Sequence, residues 1–146
     1  MPYFCRVNEP RVLVEATGLR VSYDADNDWL YTQVMGWHDQ ASIQLSANQV
    51  YSCLEHQPCT KILSDHSELL GNWNGAVPYL RPWYFERLAA KGVQHFAWVY
   101  AGGYYDRVTM ERACYHLTRP STAIFNDVAS AYDWLRNAPL QPWMLQ

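Results

Sequence analysis

The chain has 146 residues, a formal net charge of −3, 17% charged residues and 15% aromatic residues. This length fits a single domain built around one hydrophobic core. The eleven Lys and Arg residues are scattered along the chain and form no basic stripe, which argues against a nucleic-acid partner. We therefore expect one domain over residues 1–146 that does not bind nucleic acid.

Neither membrane insertion nor metal binding is indicated by the sequence. No apolar stretch approaches the roughly 18 to 20 residues that a membrane span needs, and residues 1–6 do not resemble the start of a secretory leader. The cysteines and histidines do not occur at zinc-ligand spacings. We expect a cytoplasmic protein with no metal and no other cofactor. The cysteines are Cys5, Cys53, Cys59 and Cys114.

The first 60 residues predict strands followed by a helix. The strands are expected at residues 12–16, 19–23 and 29–37. The last two are joined as a hairpin by the Asp- and Asn-rich turn 24–28. Asp39 is placed to cap a helix over residues 40–57, because apolar residues recur on one face of that segment. Pro58 ends this helix.

The rest of the chain alternates strands and helices. Strands are expected at residues 60–64, 94–100 and 122–125, and helices at residues 82–91, 105–117 and 127–137. Pro78 and Pro82 make residues 76–81 an irregular approach to the second helix. Asn126 is expected to cap the last helix. The alternation predicts an α/β fold with a single mixed, mainly parallel sheet of about five to six strands, four helices and an N-terminal β-hairpin.

A polar loop follows the strand at residues 60–64, where open α/β sheets usually place a binding site. We expect it to face a ligand or a partner, and its candidate residues are Asp65, His66, Ser67, Asn72 and Trp73. Asp65, His66 and Ser67 are also the residue types of a hydrolytic triad. Their adjacency disfavours that reading, since alternate side chains at a strand end point to opposite faces. A serine hydrolase that uses Ser67 is the least favoured alternative.

Aromatic residues are concentrated around the second helix, which has more of them than one buried face requires. They are Trp73, Tyr79, Trp83, Tyr84 and Phe85. The aromatic residues of this group that face outward, with Trp83 as the candidate, are expected to form a dimer interface or the lip of an apolar pocket. Gly102 and Gly103 precede the third helix, where Arg107 is a candidate to bind an anionic group.

Several patches together resemble a known family. The patches are Ile62–Ser67, Phe96–Val99 and Phe125–Leu135. With the element order, they resemble a STAS-type (SpoIIAA-like) domain, the fold of the bacterial anti-sigma-factor antagonists. More closely, the chain resembles an uncharacterised single-domain bacterial branch that is often compared with lipid-binding CRAL-TRIO domains. The resemblance covers residues 18–137 and leaves 138–146 as a tail.

The resemblance implies a regulatory role for the loop after the central strand. In the antagonists an Asp-Ser-(Ser/Thr)-Gly elbow carries the Ser or Thr that a partner kinase phosphorylates. The matching residues here are Asp65, His66, Ser67 and Glu68, with Ser67 in the phosphoacceptor position. His66 and Glu68 replace the small residue and the Gly, and a phosphate beside Asp65 and Glu68 would be repelled.

Two main hypotheses follow. The first is a non-enzymatic regulatory or protein-interaction domain that binds a protein partner or a second copy of itself as a homodimer. The second is a small carrier that holds an apolar or lipid-like ligand between the sheet and the second helix. The carrier predicts a cavity of about 300 Å3 or more beside Ser67.

Overall fold

The structure is a computed structural model that describes residues 9–102 and 104–140. The predictions that concern residues 1–6, Cys5, Gly103 and the end of the tail lie outside the described residues. Five helices and eight strands occupy the described part of the chain.

Six of the strands form one mixed sheet. The strands are β1 (Arg11–Ala16), β2 (Leu19–Asp24), β3 (Trp29–Val34), β4 (Gly36–Trp37), β5 (Lys61–Asp65), β6 (Leu69–Leu70), β7 (His95–Val99) and β8 (Ser121–Phe125). The main sheet has the order β1-β2-β3-β5-β7-β8. Its first three strands are antiparallel, and β3, β5, β7 and β8 are parallel. This confirms the predicted mixed sheet and its N-terminal hairpin. Strands β4 and β6 form a separate two-stranded parallel sheet, which the sequence analysis had merged into neighbouring elements.

The helices follow the strands in alternation. They are α1 (Gln40–His56), α2 (Val77–Tyr79), α3 (Phe85–Ala90), α4 (Tyr104–Cys114) and α5 (Val128–Asn137). Asp39 caps α1 as predicted, since its carboxylate accepts the Ser42 N–H while Ser42 Oγ accepts the Asp39 N–H. The prediction that Asn126 caps α5 is wrong. Asp127 has the extended backbone of a cap residue, and its carboxylate accepts the Ser130 N–H at 2.7 Å.

The second helix is broken, and its regular part begins later than residue 82. The backbone of Arg81 is extended (φ −111°, ψ 127°), so that α2 and α3 are separated by a wide turn over Leu80–Tyr84. Pro82 accounts for the break, because a proline disfavours the helical conformation in the residue before it. Gly92, at φ +102°, follows the end of α3 in the left-handed conformation that glycine favours.

The sheet has a hydrophobic core on each face. On one face α1, α3 and α4 cover residues such as Ile62 and Phe96 with buried side chains that include Phe85. On the other face α5 covers Leu63 and Ala97. Because crossover helices join β3, β5, β7 and β8 as parallel strands, the carboxyl ends of these strands lie at the same edge of the sheet. None of the described helices is long and apolar enough to cross a membrane.

Candidate functional site

The candidate site lies at the carboxyl edge of the main sheet. Strands β3, β5, β7 and β8 are parallel, so the segments that follow them meet at this edge. Two of these segments also pair with each other, because β4 follows β3 and β6 follows β5. The predicted loop after β5 therefore has a neighbouring chain segment that the sequence analysis did not associate with it.

The loop after β5 begins with a turn held by Asp65. This carboxylate is buried and accepts the Tyr31 hydroxyl at 2.8 Å and the Ser67 N–H at 2.9 Å. Ser67 and Glu68 are exposed beyond it. Asp65 thus has the turn-stabilising role of an Asp side chain that accepts an N–H two residues on.

His66 points into the protein, away from Ser67. Its side chain is 4% exposed, and its Nε2 accepts the Trp98 Nε1–H at 3.2 Å. The ring is therefore neutral with its proton on Nδ1, which has no hydrogen-bond partner among the described residues. Burial, and secondarily the nearby His38, lower the pKa of His66 to about 3. Because Nε2 is occupied and Ser67 is exposed, Asp65, His66 and Ser67 are not arranged as a hydrolytic triad.

Trp73 is a core residue, although the sequence analysis expected it at the rim. It is 2% exposed, and its ring centroid lies 5.5 Å from that of His66 and 5.6 Å from that of Trp98. Its Nε1–H donates to Asp106 at 2.7 Å, and the other oxygen of Asp106 accepts the Ala101 N–H at 2.7 Å. Burial raises the pKa of Asp106, against the lowering effect of these two hydrogen bonds. Trp73 thus ties the loop after β5 to α4.

The outermost feature of this edge is the small sheet of β4 and β6, which we name the ribbon. Trp37 pairs with Leu70 across it, and their side chains are 80% and 50% exposed. Its backbone is hydrogen-bonded at both ends, from Gly36 N–H to Glu68 O at 3.0 Å and from His38 N–H to Leu70 O at 2.9 Å. The ribbon therefore exposes two large apolar side chains to solvent, on a backbone that is held by hydrogen bonds.

His38 anchors the ribbon to the rest of the fold. Its buried ring donates from Nε2 to the carbonyls of Gly18 and Met35 at 3.0 and 3.1 Å, and Nδ1 lies 2.9 Å from the Ser42 hydroxyl. Gly71, at φ +97°, lies directly beyond the ribbon. A Cβ atom there would be 2.3 Å from the His38 carbonyl oxygen, so only glycine fits. The backbone of the ribbon is thus held at the end that follows Trp37 and Leu70.

The spaces near this edge differ in size. The cavity between the sheet and the broken helix has a volume of about 40 Å3 and is lined by residues that include His66, Leu80 and Tyr84. The space beside Ser67 also measures about 40 Å3. Both have room for only a few waters and are far below the roughly 300 Å3 of a ligand pocket. An open cleft of about 370 Å3 lies between the loop and α4, and Asn72 and Arg112 are part of its wall.

The remaining predicted residues lie apart from one another. Asn72 is exposed, and its side-chain oxygen accepts the Asn74 N–H at 2.9 Å. Trp83 is 41% exposed on the far side of the break in the helix. Arg107 donates to Glu111 at 3.0 Å on the surface of α4. In residues 9–102 and 104–140, no group of three or more His, Cys, Asp or Glu side chains could hold a metal ion.

Sequence reasoning missed Trp37, His38 and Leu70. Residues 29–37 were predicted as one strand, but β3 ends at Val34, and Gly36, at φ +76°, begins the separate strand β4. The glycine within the predicted strand was the available signal. The pairing with Leu70 joins residues that are distant in sequence, and periodicity cannot reveal it.

Comparison with known proteins identifies the fold. No family model matches the chain, and no curated protein matches it. The solved structure of the unphosphorylated anti-sigma factor antagonist SpoIIAA superposes with a TM-score of 0.57 at 10% identity, over 90% of this chain and 100% of that one. An uncharacterized protein of the DUF3478 family from Shewanella loihica, described as having a SpoIIAA-like fold, gives a TM-score of 0.50 at 19% identity, over 88% of this chain and 96% of that one.

These similarities establish a SpoIIAA-like fold for the chain. The fold prediction made from the sequence is therefore confirmed. At these identities the comparison shows the arrangement of strands and helices, but it assigns a function to no residue.

Proposed function

We propose that this chain is a non-enzymatic regulatory domain that binds another protein through the ribbon. The observation that carries the proposal is the exposed pair of Trp37 and Leu70 on a backbone with fixed geometry. Large apolar side chains that remain exposed next to each other mark interaction surfaces. Tryptophan is among the residues that contribute most binding energy at such surfaces.

The rigidity of the ribbon favours binding. His38 and Gly71 hold the end of the ribbon next to Trp37 and Leu70, so Trp37 loses little backbone freedom when a partner covers it. A preorganised surface lowers the entropic cost of association. The position at the carboxyl edge of a parallel sheet is also the usual place for a site in open α/β folds.

The charges near the ribbon indicate what the partner surface carries. Asp39 and Glu68 are exposed on either side of it. The Ser42 N–H lowers the pKa of Asp39, which therefore stays negative at neutral pH. We propose a partner with an apolar pocket for Trp37 that is bordered by Lys or Arg side chains. The similarity in fold to an anti-sigma factor antagonist, itself a protein that acts on another protein, supports this class of function.

The homodimer predicted from Trp83 is less favoured as the main role. The Trp83 ring already contacts Tyr79, with centroids 4.9 Å apart, and the Arg87 guanidinium lies 4.3 Å from it. An apolar-ligand carrier is also less favoured, because the space between the sheet and the broken helix would have to expand several-fold. Extraction of the purified protein followed by mass spectrometry tests the carrier directly.

Site-specific photo-crosslinking tests the proposed binding surface. A benzophenone amino acid is placed at position 37, and the matched control carries it at position 45, since Leu45 is also an exposed apolar residue (62%) but lies on α1. We expect one protein to be crosslinked from position 37 and not from position 45. The captured protein is then purified and titrated against the wild-type chain by calorimetry.

The titration decides the proposal. We expect Trp37→Ala to weaken binding of the purified partner at least roughly thirtyfold, as for a central interface tryptophan, while Leu45→Ala leaves it unchanged. Equal binding by wild type and Trp37→Ala would contradict the proposal.

A further inference from the structure

The two outermost strands of the main sheet, β1 and β8, are protected to different degrees against pairing with another chain. At the β1 edge the pairing with β2 is interrupted between Val12 and Val14, and the charged residues Arg11 and Glu15 are exposed. Such irregularities and charges prevent edge strands from pairing with other chains. At the other edge, β8 (Ser121–Phe125) contains no charge and no proline and pairs with β7 in unbroken register.

The hydrogen-bonding groups on the outer side of β8 can be assigned from its pairing with β7. Ser121 N–H donates to Gln94 O at 2.9 Å, and Phe125 O accepts Tyr100 N–H at 3.0 Å, so both of these residues face β7. Alternate residues of a strand hydrogen-bond to opposite sides. The backbone groups of Thr122 and Ile124 therefore point outward, away from the sheet.

We propose that the outer edge of β8 pairs antiparallel with β8 of a second copy of this chain, joining the two six-stranded sheets into one. A two-fold axis beside Ala123 places Thr122 opposite Ile124 of the other copy. Each such pair exchanges two N–H···O bonds, and the symmetry generates the second pair. The outward groups of both residues are satisfied in this arrangement.

Charge favours a second copy in this antiparallel orientation. Arg119 precedes β8 and Asp127 follows it, and both are exposed. With the axis at Ala123, Arg119 of one copy lies at the same end of the paired strands as Asp127 of the other. The strand between them is uncharged, so the antiparallel pair brings opposite charges together at both ends, whereas a parallel pair would bring like charges together. This self-association is independent of the ribbon.

A proline variant tests the pairing. Thr122→Pro removes an N–H that points outward and leaves the hydrogen bonds to β7 intact, as edge prolines do. We expect wild type to dimerise reversibly in sedimentation velocity runs and Thr122→Pro to dimerise at least roughly tenfold more weakly. Trp37→Ala should not change the dimer. A wild-type chain that remains monomeric at several hundred micromolar would overturn the proposal.

A cysteine variant tests the register of the β8 pairing, and it does so even if Thr122→Pro fails to fold. At Ala123 the two copies form a non-hydrogen-bonded pair on the axis, where the Cα atoms are close enough for a disulfide. We expect Ala123→Cys to give a disulfide-linked dimer under mild oxidation. The matched control Val12→Cys places the thiol on the β1 edge and should crosslink no more than wild type. Equal crosslinking of both variants, or a dimer that forms without crosslinking through Ala123→Cys, would overturn the proposal.

Discussion

Two tryptophans at the same edge of the sheet have opposite environments. Trp73 is 2% exposed and lies against His66 and Trp98, whereas Trp37 is 80% exposed on the ribbon. Both lie in segments that follow parallel strands of the main sheet, Trp37 after β3 and Trp73 after β5, so residue type alone does not explain the difference. The difference lies in the backbone around each of them.

The hydrogen bonds around each tryptophan account for its environment. The loop after β5 bends inward over α4, where Asp106 accepts the indole N–H of Trp73. The segment after β3 instead forms the ribbon, where Gly36 has a left-handed backbone and His38 is bonded to the carbonyls of Gly18 and Met35. The buried Trp73 thus stabilises this edge of the sheet, whereas Trp37 is held there with its side chain exposed to solvent. The variants below are ordered by the size of their expected effect on stability.

Trp73→Ala has the largest expected effect. It leaves a cavity among His66, Trp98 and α4 and removes the hydrogen bond to the partly buried Asp106. We expect the free energy of unfolding to fall by about 3 to 5 kcal/mol, as for other buried Trp to Ala changes. Urea unfolding followed by circular dichroism measures it. A loss similar to that of Trp37→Ala would contradict the assignment of Trp73 to the core.

Trp73→Phe separates the hydrogen bond from the apolar contacts. The phenyl ring keeps much of the buried area but cannot donate to Asp106. We expect a smaller loss, about 1.5 to 3 kcal/mol, as for hydrogen bonds to charged groups. The pKa of Asp106 should rise further, since the Trp73 N–H holds it down. A carbon-13 NMR titration of Asp106 that shows no rise would exclude this role of the indole.

Gly71→Ala tests the flank of the ribbon. The new methyl group would meet the His38 carbonyl oxygen, and φ at this position is +97°. We expect a loss of about 1 to 3 kcal/mol, because a non-glycine residue is strained there. Gly92→Ala is the matched control. Its φ is +102°, but a Cβ atom there meets no neighbour, so it should cost less. Equal losses in the two variants would exclude a specific role for the contact with His38.

His66 makes the stability of the edge dependent on pH. An unfolded histidine titrates near pH 6.5, whereas the folded pKa of His66 is lowered to about 3 by burial. Between these values the unfolded chain binds a proton that the folded chain does not, so stability falls as the pH falls. From pH 7 to pH 5 the loss due to this residue is about 2 kcal/mol.

Substitution of His66 isolates this contribution. His66→Gln keeps an acceptor for Trp98 but does not titrate, and we expect its unfolding free energy to depend less on pH between 7 and 5. His56→Gln removes an exposed histidine and should keep the wild-type dependence. Parallel urea unfolding curves at several pH values provide the measurement. An unchanged pH dependence in His66→Gln would contradict the buried, neutral ring.

The fold could be predicted from the sequence because its signals are local. Helix periodicity, the Asp39 cap and the alternation of β2 each depend on a few neighbouring residues. Where neighbouring signals competed, the observed helix boundaries differ from the predicted ones. Pro82 broke the second helix at Arg81, and Asp127 replaced Asn126 as the cap of α5.

The sequence predicted that the loop after β5 lies at the carboxyl edge, but not which of its residues are exposed: Ser67 and Asn72 are, whereas His66 and Trp73 are buried. The loop after β5 does lie at the carboxyl edge, because strand order follows from the alternation of elements. Whether His66 and Trp73 face inward depends on contacts with Trp98 and Asp106, which come from later parts of the chain. The pairing of Trp37 with Leu70 is similarly nonlocal.

Trp37→Ala has the smallest expected effect on stability. The side chain is 80% exposed, so its removal opens no cavity, and we expect the unfolding free energy to stay within about 0.5 kcal/mol of wild type. Urea unfolding alongside Trp73→Ala gives the contrast between the two positions directly. A loss above about 2 kcal/mol would mean that the Trp37 side chain contributes to the folded state, as buried residues do. The weaker partner binding expected of this variant could then no longer be attributed to a lost contact, because a destabilised ribbon would weaken binding as well.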